Sequence, residues 1–180
     1  LFMILVITTF IKMNFNIYID YQRDWYKQLS IIENMKLSDV IRNHRTFIFK
    51  DNTLDLNGQR RRYRFYEYAG LLKYSFGNQS RFGIDYDEYP KMEDYQSLFN
   101  EHYNLKDYNK ERPDYFVYIN RGSYDIRDFL SVMRLKYYEL FKPKQFLTQV
   151  KRIVKFSYKK YDPESVNENS KKPKESAIKN

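Results

Sequence analysis

A helix-rich α+β fold is predicted, with a few short strands packed against about five helices. Three observations predict it. Apolar residues recur at helical spacing in several long segments, as in Ile126, Phe129, Leu130, Met133, Tyr137, Leu140 and Phe141. Short β-branched and aromatic runs, TFIF at 46–49 and YFVYI at 115–119, stand between them as strand candidates. No internal repeat and no sustained heptad pattern competes with this reading.

The elements follow in chain order. Residues 1–19 are an apolar arm or edge strand, residues 20–161 a single domain, and residues 162–180 a polar basic tail with almost no apolar side chains. The opening LFMILVITTFIK is apolar, but Lys12, Asn14 and Asn16 arrive before the roughly 20 apolar residues of a full membrane span. A buried strand, a buried helix or an arm inserted into a neighbour is expected, with contact to a membrane as the alternative. From Asn14 the pattern alternates, with Phe15, Ile17 and Ile19 on one side, and reads as a half-buried strand.

Asp20 opens a helical stretch carrying Trp25, Leu29 and Ile32, and Ser38 caps a second short helix through Val40 and Ile41. TFIFKDNTLDLNG, with turn signals at Asp51-Asn52 and Asn57-Gly58, reads as a hairpin. Pro90 precedes a helix through about Tyr103, and Asn104 to Asp114 is a polar loop. The helix from Ile126 follows the YFVYI strand. Pro143 then starts a final helix whose apolar face is Phe146, Leu147, Val150, Ile153 and Val154.

Composition narrows the chemistry. The chain has 180 residues and no cysteine, which removes disulfides, thiolate nucleophiles and Cys-ligated metals. Five glycines leave little room for phosphate-cradling loops, and no Gly-x-Gly-x-x-Gly, Walker or Gly-x-Ser-x-Gly pattern occurs. His44 and His102 are the only histidines; a site at His102 with Glu93, Asp94 or Glu101 lacks calcium-loop spacing. Asn78-Gln79-Ser80 is a glycosylation triplet of the kind that arises by chance in Asn-rich chains. A non-catalytic chain with no cofactor and no metal is expected.

Charge points to a polyanion. The net charge is +9. It is unevenly placed: residues 84–115 hold nine carboxylates against four basic residues, a net of −5, whereas residues 151–180 net +5. The run GQRRRYRFYEYAG at 58–70 gathers Arg60, Arg61, Arg62 and Arg64 among aromatic rings. As a strand it presents Arg60, Arg62 and Arg64 on one face with Tyr66 and Tyr68, a platform for phosphates and unpaired bases. As a helix its core face is Phe65, Ala69 and Leu72. In both versions the arginines meet either an external polyanion or the acidic segment 84–115. Further basic candidates are Lys144, Lys151, Arg152, Lys155, Lys159, Lys160, Lys171 and Lys172. Dispersed clusters of this kind suit a protein wedged among RNA segments.

Nineteen Tyr and fourteen Phe accompany only five Gly and five Pro, and stretches such as NFNIYIDY, FKDNTLDLN and EHYNLKDYNKE recur. In this, and in its first residue being Leu, the chain resembles proteins encoded by very AT-rich mitochondrial genomes, the ciliate type above all. An AT-rich bacterial or phage chromosome yields the same composition. The resemblance implies a ribosomal or a respiratory-chain subunit in mitochondria. A mean hydropathy of −0.79 leans to the first. The expectation is a non-catalytic structural subunit of a mitochondrial ribosome in the matrix, holding rRNA through the arginine run and the C-terminal basic segment. The partners are then rRNA and neighbouring proteins, with segment 84–115 facing protein or solvent. The alternative is an accessory subunit of a respiratory complex at the inner membrane, with residues 1–19 at the bilayer. A small DNA-binding protein is a third class.

Overall fold

The computed structural model describes residues 2–77, 81–89 and 113–162. The helix read from Pro90, the 104–112 loop, the His102 cluster, the 78–80 triplet and the tail with Lys171 and Lys172 lie outside the described residues. Within them the fold is α+β and helix-rich, with five α-helices around one four-stranded mixed sheet.

Helix α1 (Phe2–Leu37) is 36 residues long and contains neither Gly nor Pro. The strand expected at 14–20 is part of it. Apolar Phe15 and Ile17 are exposed along with Asn14 and Asn16, so period-two alternation carries no burial information there. A helix satisfies its own backbone groups, which a lone exposed strand cannot do. Beyond residue 18 the helix enters the body: Ile19, Tyr26, Ile31, Ile32 and Met35 are buried, whereas Trp25 stays exposed. Helix α2 (Asp39–Asn43) is capped as expected, the Ser38 hydroxyl accepting the Ile41 N–H at 3.1 Å.

The sheet comprises β1 (Thr46–Asp51), β2 (Phe82–Asp85), β3 (Tyr115–Arg121) and β4 (Val154–Lys160), in the order β2-β1-β3-β4. Both neighbours of β1 run parallel to it, and β4 is antiparallel to β3. The TFIF and YFVYI strands are therefore present, but the hairpin is not. After Asp51 the chain makes a 3₁₀ turn at Leu54–Leu56, and β1 pairs with distant strands instead. Phe47, Phe49, Val117 and Ile119 face Tyr26, Met35, Tyr68, Leu72, Val132 and Leu135 in the main core.

Helix α3 (Phe65–Phe76) ends at Gly77, whose φ of 73° is left-handed and favours glycine. Helix α4 (Phe129–Phe141) starts at Asp128, whose carboxylate accepts the Ser131 N–H at 2.8 Å. Pro143 opens α5 (Pro143–Val150), as read. That helix stops early, however: Lys151–Ile153 turn, and VKFSYKK is strand β4 rather than helix. Alternation of Val154, Phe156 and Tyr158 against Lys155, Ser157 and Lys159 fits a sheet edge better than a continued helix.

One further difference concerns α4. Its most visible apolar stripe faces outward: Leu130, Tyr137, Leu140 and Phe141 are 48–69% exposed. The helix packs through Val132 and Leu135, on the opposite face.

Candidate functional site

The arginine run is neither a strand nor wholly a helix. Gly58–Arg60 is a 3₁₀ turn in which Gln59 and Arg60 both have φ of 54°. Arg61 is extended, and α3 begins at Phe65 with Tyr68, Ala69 and Leu72 buried, close to the helical core face read from sequence.

Three of the four arginines pair with carboxylates of the chain itself. Arg61 lies 2.7 Å from Glu67 and 3.4 Å from Asp24. Arg62 pairs with Asp87, and Arg64 sits 2.9 Å from Glu88. Asp87 and Glu88 belong to the acidic segment, so part of that segment takes up part of the run. Glu88 also accepts the Phe65 N–H at 3.0 Å and Glu67 the Arg64 N–H at 2.8 Å, so the same carboxylates cap α3. Arg60 is exposed and makes no ion pair among the described residues.

The rings of the run serve packing. Tyr63 is buried and donates to Asp24 at 2.7 Å. Burial, with Asp24 beside it, pushes its phenol far above the usual range. Tyr68 stacks on Phe49 at 4.5 Å.

Arg62 closes onto a cleft at the carboxyl ends of β1 and β2, lined also by Lys50, Asp51, Asp85 and Asp87. Ligands gather at this end of parallel strands in open α/β sheets. Burial pushes the Asp85 carboxyl up to about 6, against the pull of Arg62. Asp85 accepts the Asp87 N–H at 2.9 Å. Lys50 lies 4.8 Å from the Tyr86 ring centre. The cleft thus holds the Asp85 carboxyl raised by burial, while Arg62 is engaged by Asp87. Among the described residues no Ser, Cys or His lines it. Among the described residues no cluster of His, Asp and Glu could hold a metal ion.

The remaining basic candidates lie elsewhere. Lys151 approaches Glu33 at 3.7 Å, and Arg152 donates to Ser123 and Gln149. These two and Lys155 border a groove beside Gly122. Lys144 on α5 and Lys155, Lys159 and Lys160 on β4 are exposed. Strand β4 is the edge opposite β2, so its lysines and the arginine pairs near the end of β2 lie at opposite edges of the sheet.

The apolar arm read at residues 1–19 is the most exposed apolar feature, and it is helical and continuous with the body. Apolar side chains of α1 from Phe2 to Ile17 are 43–80% exposed around the whole helix. Three of its polar side chains bond the helix backbone: Thr8 donates to the Ile4 carbonyl, Thr9 to Leu5 and Asn14 to Phe10, each at 2.8 Å. Tyr18, Tyr21 and Trp25 follow, exposed on one face at i, i+3, i+7. By length and composition α1 is able to cross a membrane.

No family model, curated protein or solved structure matches this chain.

Proposed function

We propose that the chain is a non-catalytic accessory subunit of a membrane complex, with residues 2–18 of α1 in the bilayer and the α+β body at its surface. A mitochondrial membrane is the reading that the compositional resemblance supports. The observation that carries this reading is the exposed, all-round apolar segment of α1. Seventeen helical residues span about 25 Å, close to a hydrocarbon core of roughly 30 Å. Thr8, Thr9 and Asn14 have internal partners, as lipid requires of buried polar groups. Lys12 is long enough to snorkel, and Tyr18, Tyr21 and Trp25 occupy the level of an interfacial aromatic belt.

The test is alkaline carbonate extraction of native membranes followed by native electrophoresis. Retention in the pellet and migration with a membrane complex are the expected result. Release by carbonate together with co-sedimentation in a nuclease-sensitive rRNA particle overturns it.

That second outcome corresponds to the ribosomal reading, favoured by a different observation. Arg60, Lys144, Lys155, Lys159 and Lys160 are exposed and unpaired among the described residues. They are candidates to meet phosphate.

A further inference from the structure

We infer that a neighbouring membrane-spanning protein, not lipid, covers the outward face of α4, and that one apolar helix of that partner runs along α1 and α4 together. The inference rests on the anchored reading of α1.

The α4 stripe continues the apolar surface of α1. The rings of Phe129 and Phe15 lie 5.1 Å apart, so α4 begins beside the segment assigned to the bilayer. Its far end lies beside Tyr26, which donates to Glu139 at 3.1 Å. Phe15 and Tyr26 are eleven residues apart on one face of α1, a rise of about 16 Å. Helix α4 therefore climbs with α1, away from the membrane. A bilayer that buries residues 2–18 and meets water at Tyr18 to Trp25 does not reach Leu140 and Phe141, which are 62% and 68% exposed.

Phe129, Leu130, Tyr137, Leu140 and Phe141 together expose on the order of 500 Å2, at the upper end of what a lone soluble chain leaves bare. A stable interface buries about 800 Å2 on each partner. The α4 stripe falls short alone, and joined to the flank of α1 it exceeds that. An occupant spanning both must be apolar on each side of the membrane surface, which describes a helix that leaves the bilayer and continues into water. Exposed Arg134 and Lys142, the latter 5.5 Å from the Tyr137 ring, border the stripe. They favour a partner helix flanked by carboxylates.

Because the chain has no native cysteine, single cysteines at Leu5, Leu140 and Tyr66 place a photoreactive benzophenone at chosen points of the full chain in native membranes. The expected result is one common protein adduct from positions 5 and 140, formed through an apolar helix of a different membrane protein, at several-fold higher yield than from Tyr66. Separately, Leu140→Glu is expected to remain in the carbonate pellet yet leave the large complex. An adduct of two copies of this chain overturns the inference. So does a purely lipid adduct at position 140, or Leu140→Glu still migrating with the complex; in both cases the anchor is left intact. Absence of any lipid or protein adduct at position 5, with release by carbonate, overturns the anchored reading itself.

Discussion

Lys27 Nζ lies 2.5 Å from Asp51 Oδ2, with the two side chains 0% and 1% exposed. The ammonium also donates to Asn57 Oδ1 at 2.5 Å and to the Thr53 carbonyl at 3.0 Å, so its three protons have three acceptors. This pair ties α1 to the carboxyl end of β1. Lys27→Met leaves an uncompensated buried carboxylate and is expected to cost about 3–5 kcal/mol. Adding Asp51→Asn removes that charge and is expected to restore more than half of the loss. Urea unfolding of the three proteins in detergent micelles checks both outcomes.

The arginine clasp predicts an unequal set of effects. Arg62→Gln and Arg64→Gln each break a half-exposed pair and are expected to cost no more than about 1 kcal/mol. Glu88→Ala removes both the Arg64 contact and the acceptor for the Phe65 N–H, and is expected to cost about 1–2 kcal/mol. If RNA binds at all, its affinity and salt dependence stay unchanged in the two arginine variants. Melting curves and salt titrations with a labelled RNA measure each effect.

Asp85 makes stability depend on pH. Its folded pKa is raised to about 6 from 3.8, so between those values the folded chain holds a proton that the unfolded chain has lost. Stability therefore falls as pH rises through this window, by up to about 3 kcal/mol, and is level above it. Asp85→Asn keeps the acceptor for the Asp87 N–H and is expected to stabilise the protein by about 1–3 kcal/mol at pH 8. The gain vanishes near pH 4. Denaturation midpoints across pH 4–8 follow the difference.

Two glycines respond in opposite directions to alanine. At Gly122 an added Cβ falls 2.0 Å from the Arg152 carbonyl oxygen, where β3 and β4 close together. Gly122→Ala is expected to lose about 2–4 kcal/mol. At Gly70, inside α3, nothing lies within 4 Å of the added atom. Gly70→Ala is expected to gain about 0.5–1 kcal/mol from helix propensity. Differential scanning fluorimetry reads both shifts.

Fold class was legible because short β-branched runs and capping residues act locally: TFIF, YFVYI and Ser38 do in the fold what their sequence implies. Period two at Asn14–Asp20 misled because Phe15 and Ile17 are exposed along with Asn14 and Asn16, whereas the helix read at Phe129–Phe141 is present with much of its apolar stripe facing outward. The hairpin failed because β1 finds its partners at Phe82 and Tyr115, far along the chain. For the arginine run, both possible acceptors were visible in the sequence, but only the fold brings Asp87 and Glu88 to Arg62 and Arg64.

Helix α1 has no glycine, proline or other break between its exposed end and the residues that hold the sheet. There is no hinge at the point where the exposed segment becomes the core. A rod about 54 Å long therefore sets how the body stands, and whatever seats residues 2–18 also aims the cleft, the lysine edge and the arginine clasp. A tilt or rotation imposed at Phe10 is delivered to Lys27 and Asp51 without slack. In a larger assembly, orientation is thus a property of the helix itself, decided before any contact of the body is made.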